Sequence, residues 1–473
     1  MNCDFASFLS YIKQFGDNQA LLDGEYAISY NELYSEVLRK VKFIESLNIQ
    51  AHSTIAVLAE NSIDVIELFL AVPASENVVL ILPTDLDDSK LYSMIEKFDI
   101  RVIFTDRKDK LKVLDTVIVC DCSSIATEEA VLKPCAPNLP AAIFLTGGTS
   151  DELKGALHSH SSVVYASHIY VDHINTRYGS MDGYMKNKVI LSLPLSHVLG
   201  MVTCVMFSLI AGCEIYVCAD TKKAIKLIPR YQPNRLVLVP EMIEVLLSLA
   251  QNKKEYLASV DYILCGGAPM DPGLVDRASE YGTKIVFGYA SSETAGALAS
   301  NFDCELYPCS VGPVLDNFKL RIVDDELWIK CPNMMLGYYN DPELTSLAFE
   351  DGWFKTGDLG KTERHSDTDY LIITGRLKNL IILGNGENIS PEELENLLNR
   401  YDEIRDCEVK EMILNGNKVV GVEIIPDGDN DSNIYGHIID EVNRELPTYK
   451  QICTYVLREK DFEKTQAMKR IRK

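Results

Sequence analysis

Positive charge is what this chain has least of. Its 473 residues carry 46 lysines and arginines against 69 aspartates and glutamates, a formal net charge of −23. Such a field disfavours nucleic acid and anionic membranes as partners, so basic residues with a task must act locally. Low-complexity tracts and internal repeats are absent. The thirteen cysteines are scattered, with only Cys120 and Cys122 close together, and no paired C-x-x-C spacing suggests a zinc site or redox centre. An odd number of thiols fits a reducing cytoplasm. The start, MNCDFASFLSYIKQ, lacks the positive n-region, apolar middle and small-residue cleavage site of a signal peptide. Formal charge is missing altogether from Val189 to Cys213, but Pro194, Ser196 and His197 interrupt that run. It reads as a buried strand followed by a buried helix, so no membrane span is expected.

What is present is ordinary globular material, 47% hydrophobic and 24% charged, too long for a single core and expected to form two or three domains. Helical and strand patterns alternate: Tyr30 to Leu47 helical, Thr54 to Ala59 strand, Ser62 to Ala71 helical, then strands at Phe98 to Thr105 and Thr116 to Cys120. Such alternation implies parallel sheet with helices packed on it. Strands at Arg235 to Pro240, Asp261 to Cys265 and Lys284 to Phe287 follow, the last two running into small-residue turns at Gly266-Gly267-Ala268-Pro269 and Gly288 to Glu293. Ligand sites in parallel sheets gather at such strand ends. Past Asp324 the pieces become shorter and β-like. The last hundred residues read as a small α+β unit, with a domain boundary near Arg376 to Asn379.

The stretch Ala141 to Gly155, AAIFLTGGTSDELKG, reads as a buried strand opening into glycines and hydroxyl residues before Lys154. Small residues there let the backbone aim N–H and O–H donors at one point, a cradle for phosphate, although a plain turn has the same composition. It is not a P-loop, since Leu153 precedes the lysine and Gly155 follows it.

This loop resembles the glycine-rich loop of the adenylate-forming (AMP-binding) ligase superfamily, most of all the acyl-CoA synthetases. Thr146, Gly148, Thr149, Lys154 and Gly155 match, Gly147 and Ser150 are near substitutions, and Asp151 and Leu153 depart from the pattern. Six further segments resemble the same superfamily in the same order: Pro194 to His197, Gly266 to Pro269, Gly288 to Glu293, Trp353 to Leu359, Gly375 to Glu393, and Phe462 to Lys473, where Met468 replaces the usual glycine. The resemblance implies an α/β fold, with a large N-terminal domain of parallel and mixed sheets with packed helices over residues 1–377. A small mobile C-terminal α+β domain over 378–473 would pivot near Lys378.

It also implies roles. Thr146, Gly147, Gly148, Thr149, Ser150 and Lys154 would grip the phosphates of ATP. Gly267 and Ala268 would border adenine and the acyl group, and Tyr289 would stack on adenine. Asp358 would accept the ribose hydroxyls, and Arg376 would reach ribose or phosphate. Ser292 would bond near the α-phosphate, Glu293 would help hold Mg²⁺, His197 would gate the acid pocket, and Lys469 would bridge the acid and the phosphates. Read without the resemblance, Glu293 is a solvated or capping carboxylate, Thr356-Gly357-Asp358 an ordinary turn, Ser390-Pro391 a helix start, and the last residues a flexible basic tail.

The implied activity is ATP-dependent, AMP-forming activation of a carboxylic acid, followed by transfer to a thiol, coenzyme A or the phosphopantetheine of a carrier protein. Near Pro194 to His197 no aspartate is available for a substrate ammonium. Val198, Leu199, Met201 and Val202 make that region apolar, which favours a fatty or aryl acid. Two other readings stand beside this one: an adenylation enzyme loading an acyl or peptidyl carrier protein, and a catalytically silent nucleotide-binding homologue, motivated by Asp151, Leu153 and Met468.

Overall fold

A computed structural model of the chain describes residues 3–107, 116–146, 153–178, 187–382, 388–414, 417–428, 433–463 and 472. Among them, two large mixed sheets form the body of the molecule. One has seven strands, in the spatial order Gly337–Tyr338, Lys154–Ser159, Pro140–Thr146, Val78–Ile81, Thr54–Leu58, Ile100–Thr105 and Ile118–Asp121. The other has eight and runs from Gly296–Asn301 at one edge to Gln19–Asp23 and Tyr26–Ser29 at the other. Both are parallel in the middle and antiparallel at one or both edges. The central strands are nearly all apolar, Thr54 and Arg235 at their starts being the exceptions, because both of their faces are covered: every residue of Thr54–Leu58, Val78–Ile81 and Arg235–Leu238 is buried.

One continuous core joins the sheets. It includes Val57, Val79 and Phe144 from the first sheet and Leu191, Val237 and Val286 from the second, with Ile169 and Phe207 between them. The uncharged run from Val189 to Cys213 is, as expected, strand and helix: Lys188–Leu191, then a π-helical turn Leu199–Met206 continuing as Phe207–Ile210. No helix among the described residues is long and apolar enough to cross a membrane.

Two expected breaks are continuous instead. Gly288 to Ser291 continues the strand Lys284–Ser291, because Gly296–Asn301 folds back and pairs with it, with an irregularity between Tyr289 and Ala290. Thr356-Gly357-Asp358 is no turn; it lies within the long strand Trp353–His365, where Gly357 adopts φ +68°. That strand belongs to a five-stranded sheet with Lys319–Val323, Glu326–Lys330, Phe349–Glu350 and Thr368–Arg376.

The C-terminal α+β unit has its own core, drawn from Ile381 to Ile452. Its three-stranded sheet, Ile404–Leu414, Asn417–Pro426 and Thr454–Leu457, is packed by helices Pro391–Leu398 and Asn433–Glu445. Two contacts fasten its parts. Ser390 occupies the N-cap of Pro391–Leu398 but makes no capping bond. Its hydroxyl instead donates to the Thr374 carbonyl at 2.7 Å, tying the helix to the end of Thr368–Arg376. Arg472 donates in parallel to both carboxylate oxygens of Glu395, at 2.9 and 2.6 Å, so this part of the C-terminal segment is anchored.

Gly375 leaves room for the first contact, since a Cβ there would collide with Ser390 Oγ. Gly375→Ala is therefore expected to push the two units apart. Limited proteolysis should cut the segment joining them at least several-fold faster than in the parent, with a loss of about 1–3 kcal/mol in urea unfolding.

Candidate functional site

The edges of the three large sheets meet at one place. From the eight-stranded sheet come Tyr289 and, just past the strand, Ser292 and Glu293. The seven-stranded sheet brings Thr146 and Lys154, which face each other across an antiparallel pair, together with Tyr338. From the five-stranded sheet come Asp358 and Arg376, also direct cross-strand partners.

Asp358 is the centre of the cluster, 3% exposed although charged. One carboxylate oxygen accepts from Arg376 Nε at 2.6 Å, and the other accepts the Tyr289 hydroxyl. The backbone N–H of Asp358 donates to Thr356 Oγ1 at 3.0 Å, and that of Gly357 donates to Glu326 at 2.9 Å, which fixes the strand where it bends. Asp358 holds the Arg376 guanidinium more firmly protonated than usual. Burial, then Asp358, pushes the Tyr289 hydroxyl well up, so it stays a neutral donor. Lys378 is shifted down by partial burial, next by Arg376 and then by Lys154, against the opposing pull of Asp358 and Glu293. Lys154, Arg376 and Lys378 thus share one small field, a cationic spot in an acidic chain.

Ser292 and Glu293 are tied in from the other side. Ser292 Oγ donates to the Leu145 carbonyl at 3.2 Å, next to the glycine-rich loop. The Tyr338 hydroxyl donates to Glu293 at 3.0 Å, and Lys154 Nζ lies 5.7 Å from the centre of the Tyr338 ring. Tyr338 has no counterpart in the sequence reading; its neighbour Gly337 was the only local sign that the chain comes close to another segment here.

His158 was also missed. Its Nε2 lies 2.7 Å from the Ser292 carbonyl, to which it donates, and its Nδ1 is 3.2 Å from Ser162 Oγ. Fully buried, it is pushed down to about 4 and stays neutral at physiological pH. Asn61 is a third: its Nδ2 donates to the Leu193 carbonyl at 2.9 Å and its Oδ1 accepts from Leu195 N at 3.0 Å, shaping the turn before His197.

His197 sits just before the π-helical turn, its carbonyl accepting from Met201 N, and is not among the residues lining the small cavity nearby. Gly266 and Gly288 do line that cavity, whereas Gly267 is exposed with φ +87° and Ala268 is half-buried. Of the apolar residues after His197, Val198, Met201 and Val202 pack into the main core, and Leu199 lines the cavity. Their hydrophobicity thus belongs mostly to the core. Gly147, Gly148, Thr149, Ser150, Asp151, Gly384 to Glu387, Met468 and Lys469 lie outside the described residues.

Converging sheet edges thus bring a buried, paired carboxylate together with three nearby cations. The model of the AMP-binding enzyme family matches residues 8–339. The chain belongs to that family, the adenylate-forming ligases, and stands near their acyl-CoA synthetases. It is 30% identical over 289 residues to the indoleacetate–CoA ligase of Aromatoleum aromaticum, covering 58% of this chain and 54% of that protein. The chain thus spans about half the length of that relative. The 2-succinylbenzoate–CoA ligase of Haemophilus influenzae is 26% identical, with 80% of this chain and 76% of that protein covered. The o-succinylbenzoate CoA synthetase of Bacillus subtilis, solved with its acyl-adenylate, shares the fold at TM-score 0.84 and 21% identity, over 98% of this chain and 96% of that one.

The buried histidine supplies a pH test. His158 has a folded pKa near 4 against about 6.5 for an unfolded imidazole, so the unfolded state binds the extra proton and stability drops as pH falls from about 6.5 towards 4. In His158→Gln that dependence is lost. The stability gap between parent and variant, followed by urea unfolding, is expected to narrow by up to about 3 kcal/mol over this range.

Proposed function

We propose that the protein activates a carboxylic acid with ATP, releasing pyrophosphate, and then transfers the acyl group to a thiol, coenzyme A being favoured. The observation that carries this reading is Asp358, buried and gripped on one oxygen each by Tyr289 and Arg376, at the meeting point of three sheet edges. Each carboxylate oxygen keeps a lone pair for a further donor, which suits two neighbouring ribose hydroxyls. Tyr289 would then lie against adenine, with Gly267 and Ala268 bordering it. Thr146, Gly147, Gly148, Thr149, Ser150 and Lys154 would enclose the β- and γ-phosphates.

A carboxylate oxygen of the acid attacks the α-phosphorus, the bond to the β-phosphate oxygen breaks, and pyrophosphate leaves. The work is to neutralise charge around this in-line displacement. Ser292 would donate near the α-phosphate, Lys469 and Arg376 would offset charge on the oxygens, and His197 would stand at the mouth of the acid site. Magnesium fits the donors present in one way only: Glu293 is a hard oxygen ligand, and no cluster of three acidic, histidine or cysteine residues occurs among the described residues. Glu293 would therefore share the ion with phosphate and water oxygens, where it would supply further neutralisation.

In the second half-reaction the thiol attacks the acyl carbonyl and AMP leaves. Domains at 1–377 and 378–473, turning about Lys378, would exchange Lys469 for the Gly384 to Glu387 face between the two steps. A reducing cytoplasm is the compartment that suits thirteen cysteines of which no two are joined in a disulfide. The favoured acids are aryl or fatty.

The deciding experiment is acid-dependent ATP–pyrophosphate exchange across fatty, aryl and amino acids; no exchange with any of them would overturn this reading. Lys469→Ala is expected to abolish exchange yet leave thiolation of a supplied acyl-adenylate within a few-fold of the parent, and equal loss of both steps would refute the assigned role. Asp151→Gly, which removes a carboxylate beside the phosphate loop, is expected to lower the KM for ATP about tenfold if that carboxylate faces the polyphosphate.

A further inference from the structure

The cavity beside the proposed nucleotide cluster is partly open and small, about 10 Å³, room for roughly one water. Its lining is mostly apolar, with Leu199, Leu264 and Val286 among its walls, but three hydroxyl residues, Tyr170, Thr203 and Ser300, interrupt it. No aspartate, glutamate, lysine, arginine or histidine lines it.

Ser300 is the residue that calls for a ligand. It is 1% exposed, and its Oγ makes no hydrogen bond of good geometry, the Tyr170 hydroxyl being only a poor partner. A buried hydroxyl held so poorly gains from a better-placed donor or acceptor. Tyr170, whose hydroxyl interacts with Ser300, is 6% exposed and packs on Phe207 with ring centres 5.3 Å apart, so it is a fixed wall. The backbone presses in as well: a Cβ at Gly288 would stand 3.2 Å from the Ala299 carbonyl and 3.7 Å from the Tyr170 hydroxyl.

We infer that the acid accepted here is compact and uncharged apart from its reacting carboxylate, and carries a hydroxyl or similar hydrogen-bonding substituent that meets Ser300 and Tyr170. The inference rests on the acid-activating reading for the identity of the ligand. A substrate ammonium or second carboxylate would be buried there without a counter-ion, and a long saturated chain would run into Tyr170 with nothing to bond Ser300. An acid lacking the substituent leaves Ser300 and Tyr170 with only their poor contact to each other, and is selected against.

The test compares the hydroxybenzoates, benzoate and octanoate in ATP–pyrophosphate exchange and, separately, in calorimetric binding to the full chain in the presence of AMP. At least one hydroxybenzoate is expected to exceed benzoate about 10- to 100-fold in kcat/KM and in affinity, with octanoate weakest. In Ser300→Ala and in Tyr170→Phe, the ratio of hydroxybenzoate to benzoate is expected to fall towards one. Discrimination in binding without exchange would sustain this inference and remove the activity reading. Exchange that favours benzoate or octanoate, or a ratio unmoved by both variants, would overturn the inference and leave the activity standing. Binding of none of these acids would overturn it as well.

Discussion

A buried carboxylate is tolerable only when its charge is answered. Asp358 has one protein partner for each oxygen, Arg376 across the same sheet and Tyr289 from another. That double attachment holds the edge of the five-stranded sheet against the edge of the eight-stranded one and sets the spacing on which the other site groups depend. Removing either donor would leave part of a desolvated charge unpaired, so the same contact that closes the fold also keeps this cluster in shape.

The antiparallel edges give that arrangement its reach. Parallel strands bring their ends out at one side of a sheet and would leave Thr146 and Ser292 on separate ridges. Because Pro140–Thr146 returns at once as Lys154–Ser159, and Lys284–Ser291 returns as Gly296–Asn301, both edges fold over towards each other. His158 and Ser292 then bridge the gap through the Ser292 and Leu145 carbonyls. Neutral His158 is suited to this, since an imidazolium there would be an uncompensated charge beside Glu293's own backbone.

Much of this was legible in the sequence, and what was not has a physical reason. Strand and helix periods gave the α/β class, and the separate core from Ile381 to Ile452 bears out the small α+β unit. Tyr289, Asp358 and Arg376 stood out only through the resemblance of Gly288 to Glu293, Trp353 to Leu359 and Gly375 to Glu393 to the family's segments; read alone, Thr356-Gly357-Asp358 looked like an ordinary turn. By contrast, Gly288 to Ser291 looked like a turn because small residues break hydrophobic alternation, although a strand pairing at a sheet edge needs no side chains of its own. Tyr170 and Ser300 were invisible as a pair: 130 residues separate them, and neither has a local pattern. Nor can periodicity tell an apolar helix that lines a pocket from one that fills a core, and so Met201 and Val202 misled.

The clamp between Arg472 and Glu395 has a mechanical consequence. Lys469 is three residues away, so its tether is at most about 10 Å long when fully drawn out. If Lys469 serves the phosphates as proposed, a tether this short would leave larger travel to the small unit as a whole, acting as a lever arm whose load lies three residues before Arg472.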